Sequence, residues 1–315
     1  KYQLNHTPWE GLRFYDLIWP SFMLMVGVSI PFAFARRMLT QTRGQILFTA
    51  AQRAAVLFLL GSFRASLSNN APMLVELSSA LQPIALAYFV ASLVAGCKVR
   101  LQVAVGALIL LACGLWLALV PGAGFPAGSY GKDANLVATV DLAVLGRTHP
   151  EGWGTVLSAI PTISTTILGL LLGELLMSGW SSRRKVATIG VIGLAGVAVG
   201  LGLGPVVPVV MKLWTVSYGL ASAGWACLMF AVFYWIIDVQ GWRKWSFPFA
   251  VIGMNALAIY LGVAIVPFAR IVRVFTKPVA AGLGAWGALF AAAAVLLVEW
   301  LILFWMYRRK IFLRA

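Results

Sequence analysis

Two histidines, His6 and His149, are the side chains of this 315-residue sequence whose ordinary titration lies closest to neutral pH. His6 stands in Asn5-His6-Thr7-Pro8-Trp9-Glu10-Gly11, ten residues ahead of Asp16. An imidazole can take and return a proton near pH 7. A carboxylate beside it can hold it in one tautomer. The spacing permits such a pair. Plainer readings also fit: His6 as an interfacial anchor, and Asp16 as a carboxylate attracted to the positive end of a helix dipole.

Arg53 is the sharpest anomaly, because Ala54-Ala55-Val56-Leu57-Phe58 follow it. An arginine at the centre of a membrane helix costs about 2.5–3.5 kcal/mol on insertion scales, so it usually faces the bundle interior or a wet cavity. Facing inward, it suits an anion such as a phosphate; near a helix end it can instead snorkel to the surface. Asn255 sits mid-run in Gly253-Met254-Asn255-Ala256-Leu257, where a buried amide can simply join neighbouring helices. Glu174 and Glu299 also lie within apolar runs, and Glu299 needs a partner. The sequence contains no phosphate-binding Gly-rich loop, no H-E-x-x-H, no C-x-x-C and no G-x-S-x-G. Cys97, Cys113 and Cys227 share no short spacing, which argues against a metal site or a disulfide.

The elements that must position these residues are membrane helices. Charged residues make up 10% of the chain and hydrophobic ones 61%, too few charges for a water-facing surface. The expected fold is an all-α polytopic membrane bundle, one transmembrane domain over residues 1–315 with about nine spans. The candidates are Leu17–Ala35, Ile46–Phe63, Ala80–Gly96, Leu101–Val120, Val156–Met177, Val186–Val207, Tyr218–Ile237, Phe247–Val266 and Leu283–Tyr307. The sixth is glycine-dense, and its Gly196/Gly200 and Gly200/Gly204 pairs predict close helix contact. The long outer loop Pro121–Thr155 is turn-rich and suits a lid. The net charge of +15 sits in short loops and reflects topology, not nucleic-acid binding. Apart from Arg53, nine basic residues fall on one side and fourteen on the other, among them Arg183, Arg184, Lys185, Arg308, Arg309 and Lys310. The richer side is cytoplasmic by the positive-inside rule, which puts the C-terminus inside. Lys1 then lies outside, so we expect an upstream helix that this sequence lacks, and ten or more spans in the natural protein.

The segment His6-Thr7-Pro8-Trp9-Glu10-Gly11-Leu12, followed by Asp16-Leu17-Ile18-Trp19-Pro20 and Val26-Gly27-Val28-Ser29-Ile30, resembles the heparan-alpha-glucosaminide N-acetyltransferase family. Further blocks follow in the same order: Pro150-Glu151-Gly152 with Gly154-Thr155, Lys212-Leu213-Trp214 with Ser217-Tyr218, Gly253-Met254-Asn255-Ala256, and Tyr307-Arg308-Arg309-Lys310-Ile311-Phe312. The resemblance implies a membrane acetyltransferase of bacterial type in an inner membrane. It would move acetyl from cytoplasmic acetyl-CoA to an amino sugar or related glycan on the outer face. The family's active-site histidine falls on His6 and its intramembrane arginine on Arg53. Two positions depart: His149 stands where the family usually has Asp, and Pro83 where it commonly has Arg.

On this basis His6 and Asp16 are the expected catalytic residues. Arg53, Gln82 and Asn255 are assigned to acetyl-CoA, and Glu151, Lys212, Trp214, Ser217 and Tyr218 to the acceptor. No metal is expected; the partners are the glycan acceptor and membrane lipids, with a homodimer left open. The rival reading, a transporter or flippase for a sugar or lipid-linked precursor, accounts for the spans and glycines but gives His6 no task. The charge bias yields a direct test of orientation. A tag after Ala315 should react only with cytoplasmic reagents, and one within Pro121–Thr155 only with external reagents. Labelling of both from one side would reject the nine-span arrangement.

Overall fold

The computed structural model describes residues 2–69, 79–149 and 151–313; Lys1, Glu76, Pro150, Arg314 and Ala315, all used above, lie outside them. Among the described residues the regular structure is helical, with only isolated β-bridges beside it. The helices are α1 Ile18–Arg37, α2 Arg43–Asn69, α3 Leu81–Val94, α4 Val99–Leu119, α5 Leu136–Leu145, α6 Val156–Ala159, α7 Thr162–Met177, α8 Ser182–Gly202, α9 Val216–Tyr234, α10 Phe247–Met254, α11 Ala256–Ile265, α12 Phe268–Gly282 and α13 Gly287–Arg308. Among the described residues seven helical stretches are long and apolar enough to cross a membrane, or eight if the bent pair α10 and α11 forms one span.

Membrane character shows in which faces are bare. On α4, Leu108, Leu111, Leu115 and Leu119 are exposed, while Gln102, Gly106, Cys113 and Leu117 are buried. Large apolar side chains outside and small or polar ones inside suit a hydrocarbon solvent, where helices gain by close packing. Gln102 donates from Nε2 to Glu174 Oε1 at 2.7 Å, which supplies the partner that Glu174 needs. Among the described residues no hydrogen bond or ion pair is assigned to Glu299.

The chain divides into two compact units. The first holds residues 1–63 and 73–235. Within it α1 packs on α7 and α8 packs on α9. Both contacts bring backbone against backbone. A Cβ on Gly27 would clash with the Thr166 carbonyl, and one on Gly169 with the Leu24 carbonyl. Between α8 and α9, Gly196 and Gly200 meet the backbone at Gly224 and Ala221. Thus Gly196/Gly200 makes the expected close contact. Gly204 does not: it lies past the end of α8, against Leu201 of its own chain segment.

Two differences from the sequence reading have physical causes. The third candidate span is the 14-residue helix α3, whose length of about 21 Å falls short of a hydrocarbon core of about 30 Å. Pro83 is its third residue, where a missing N–H leaves no helical bond unmade. The stretch read as a loop between the last two candidates contains α12, whose Arg270, Arg273 and Lys277 interrupt an otherwise apolar pattern.

The second unit holds residues 64–72 and 236–315. Arg64 lies over the Tyr260 ring at 4.1 Å. At Asn255 the path bends by 60° between α10 and α11. The Asn255 side chain donates to the Ile311 carbonyl and accepts from Leu313 N, both at 3.0 Å. The expected amide-to-helix tie is therefore made to the extended C-terminal segment.

The glycine contacts generate a contrast. Gly169→Ala should destabilise by about 1–3 kcal/mol through overpacking. Gly190→Ala meets nothing within 4 Å, and should be neutral or stabilising by about 0.5–1 kcal/mol. Thermal unfolding in detergent would show the two shifts; equal melting temperatures would reject backbone contact of α1 with α7.

Candidate active site

Asp16 organises the outer end of the first unit. It closes a 3₁₀ turn, Phe14–Leu17, that leads directly into α1. The turn folds its side chain back, so Oδ2 accepts from Arg13 N at 2.9 Å. The preceding segment then wraps over the same carboxylate. Thr7 donates to it from its backbone N–H and from Oγ1, and His6 Nδ1 lies 2.8 Å from Oδ1. Asp16 is fully buried. A buried carboxylate needs such donors, since burial without them costs several kcal/mol.

The segment carrying His6 has no helix of its own to fix it. Gly11, at φ +117, turns the chain in a conformation that L-residues with a Cβ rarely adopt. Its N–H bonds to Val209 O at 2.8 Å, and Glu10 pairs with Val210 in an antiparallel bridge. Arg13 Nη1 reaches back to His6 O at 3.0 Å. The partner strip, 208–215, is tied by Thr215, which donates from Oγ1 to Pro208 O at 2.8 Å and accepts from Val210 N at 3.1 Å.

An ionised carboxylate only accepts hydrogen bonds, so His6 Nδ1 carries the proton in this contact. The lone pair is then on Nε2, the nitrogen not turned to Asp16. The Tyr15 and Trp153 rings stand steeply to the imidazole at centroid distances of 4.5 and 5.1 Å. His6 keeps 38% of its side-chain surface exposed, so a substrate can reach it, whereas Asp16 keeps none. The arrangement can accept a proton at Nε2 while the carboxylate stabilises the imidazolium that forms.

Beside the imidazole lies a second group of residues. Trp153 Nε1 donates to Glu151 Oε2 at 3.1 Å, and Lys212 Nζ donates to Glu151 O at 2.7 Å. The Trp153 hydrogen bond chiefly, with the Lys212 charge, holds the Glu151 carboxyl below its usual value. Partial burial pulls the Lys212 ammonium below its usual value, and Lys132 adds to this. Gly152, at φ +75, lets Trp9 close over this turn: a Cβ there would sit 2.9 Å from the Trp9 ring. Trp9 is itself held by a bond from Nε1 to Tyr130 O at 2.8 Å. His149 sits in the same turn, with Nδ1 accepting from Glu151 N at 3.2 Å.

The other sequence-expected residues fall into four places. Trp214, Ser217 and Tyr218 are buried behind Asp16. Tyr218 donates from its hydroxyl to Asp16 O at 2.7 Å, Ser217 donates to Pro208 O at 2.9 Å, and Trp214 stands edge-on to Trp19 and Tyr218. Gln82 is buried at the start of α3, accepting from Ser79 N and donating to Ser62 Oγ at 2.9 Å. Arg53 is half-buried along α2, and Asn255 belongs to the second unit. Thr7, Arg13, Tyr15 and Trp153 were not singled out as site residues from the sequence. Only the position of Thr7 and Tyr15 beside the His6 and Asp16 pair could have signalled two of them.

Most of the chain aligns with known proteins. The chain is 25% identical over 326 residues to the heparan-alpha-glucosaminide N-acetyltransferase of Homo sapiens, an alignment covering 82% of this chain and 48% of that protein. It is 23% identical over 327 residues to the Mus musculus protein of the same name, with the same two coverages. This is a distant family relationship. The chain spans about half the length of these relatives, 48% in each case. No family model matches the chain.

Removing the organising carboxylate should be felt as lost stability. Asp16→Asn places an amide among donors and should cost about 1–3 kcal/mol, the penalty of unsatisfied buried groups. Tyr218→Phe removes one neutral bond and should cost about 0.5–1.5 kcal/mol. Thermal unfolding of the two variants should rank them in that order. A parent-like melting temperature for Asp16→Asn would mean that the carboxylate does not hold the segment down.

Proposed function

We propose that this protein is a membrane-embedded N-acetyltransferase that moves an acetyl group from acetyl-CoA to an amino sugar or related glycan. The observation that carries the reading is the His6–Asp16 pair, with Nδ1 engaged and the imidazole partly exposed. The distant relationship to heparan-alpha-glucosaminide N-acetyltransferase supports the reaction class. It also favours an enzyme over a transporter.

In this reading the acceptor amine attacks the thioester carbon. His6 Nε2 takes the amine proton as the new C–N bond forms, and the C–S bond breaks to release coenzyme A, which recovers a proton as the thiol. Asp16 keeps the imidazole in the tautomer that can do this. Tyr218 and Thr7 position Asp16 and touch no substrate. Glu151 carries the negative charge suited to an amino sugar, and Trp153 and Tyr15 offer apolar edges beside the reacting nitrogen. Arg53 is the phosphate contact for the donor, which approaches from the side rich in basic residues. Acetyl therefore crosses from a cytoplasmic donor to an acceptor on the outer face.

The test is transfer from radiolabelled acetyl-CoA to a glucosamine-terminated oligosaccharide, with the product followed by mass spectrometry. His6→Ala in the full-length protein should lower the rate by about 10²–10⁴-fold, the usual contribution of a general base, while acetyl-CoA still binds. His149→Ala should cost far less, because its ring serves the backbone of its own turn. Near-normal turnover in His6→Ala with a dead His149→Ala would overturn the assignment of the base.

A further inference from the structure

The second unit carries a site that this chemistry does not use. Along α12, Arg270, Arg273 and Lys277 fall on one face by helical spacing. The opposite face presents Ile271, Phe275 and Val279, all exposed. Between α12 and α13 lies a groove of about 490 Å³, which Arg273 and Lys277 border and Arg270 does not. Its lining includes Arg273, Thr276 and Lys277 from α12, and Ala288, Ala291 and Val295 from α13. Within its lining Gly287 meets the Ala280 carbonyl so tightly that a Cβ would clash. Its volume lies within the range of about 300–1,000 Å³ common to small-molecule sites.

Two observations give the chemistry of the occupant. No acid lines the groove, and among the described residues no hydrogen bond or ion pair engages Arg273 or Lys277. Two cations over a floor of small residues call for an anion. The surroundings are apolar: Leu289, Leu296 and Leu297 of α13 are exposed, and so is Trp286 at the turn between the helices. An amphipathic helix with a bare apolar face and a neighbouring tryptophan fits a membrane interface.

We propose that the groove between α12 and α13 binds an anionic phospholipid. The headgroup phosphate sits between Arg273 and Lys277, and an acyl chain runs along the alanine face of α13. The apolar wall selects a lipid over a soluble phosphate, because only a lipid fills both parts of the groove.

Native mass spectrometry of the full chain in a neutral detergent tests this. Phosphatidylglycerol should be retained, and phosphatidylcholine with the same acyl chains should not. Each cation removed should weaken retention by about fivefold, the usual effect of one basic residue at an anionic surface. Arg273→Ala with Lys277→Ala should therefore cost about 25-fold, whereas Arg183→Ala with Arg184→Ala should cost little. Ala288→Leu with Ala291→Leu should expel the lipid by filling the groove although both cations remain. If that pair unfolds, Arg273→Glu with Lys277→Glu, at exposed positions, decides in its place and should abolish retention. Equal retention of both lipids would overturn the proposal, as would equal losses from the two arginine-containing pairs. Displacement by glycerol 3-phosphate at equal concentration would make this a soluble-phosphate site instead. A two-chain species abolished by the leucine pair, with no lipid bound, would assign the groove to a second copy of the protein.

Discussion

The fold of the first unit converges on one buried carboxylate. Asp16 is held by its contact with the His6 imidazole and by hydrogen bonds from Thr7 and from Arg13 N. Its own carbonyl is held by Tyr218, a residue of α9 202 positions away. One residue thus ties an irregular N-terminal segment, the start of α1 and the start of α9. The donor set makes the arrangement all-or-none, since losing any donor leaves charge in a place that water does not reach. The same bonds aim the imidazole. Stability and chemistry draw on the same atoms, and a variant that loosens one disturbs the other.

Such a cluster holds its geometry only on a stiff support. The helices beneath it meet with backbone in contact, through Gly27 and Gly169 on one pair and through Gly200 and Gly224 on the other. In a bilayer, apolar side chains gain nothing by leaving lipid for protein, so close approach supplies the cohesion. Many bulky side chains consequently remain on the outer faces, while small and polar residues share the interior with a core that includes Leu24, Leu172 and Ile189.

Much of this was legible in the sequence, and the rest was hidden for identifiable reasons. Composition alone gave the all-α membrane class, and ten-residue spacing permitted the His6 and Asp16 pair without showing it. Arg13 was not legible, because it holds Asp16 through a main-chain N–H, a group nearly every residue carries; Thr7, which adds its hydroxyl, was marked only by its place beside His6. Trp153 belongs to no segment read as part of the site, yet its indole holds Glu151 and its ring packs against His6. Trp214, Ser217 and Tyr218 were expected at the acceptor; burial places them behind the carboxylate, a distinction that residue type does not encode. The helix α12 escaped a search for unbroken apolar runs because its basic residues return every third or fourth position. The bend at Asn255 escaped for the opposite reason: apolar residues flank it on both sides and no proline marks it.

That bend has a consequence for biogenesis. In a bilayer each unpaired polar group costs several kcal/mol, and the partners of Asn255 lie at Ile311 and Leu313, the latter 58 residues further on. During synthesis the ribosome delivers α10 and α11 long before those residues exist. Until then the asparagine must borrow partners from water or from the insertion machinery. The second unit accordingly acquires its final form only after α13 has been threaded, and the last residues described here act as the latch of assembly.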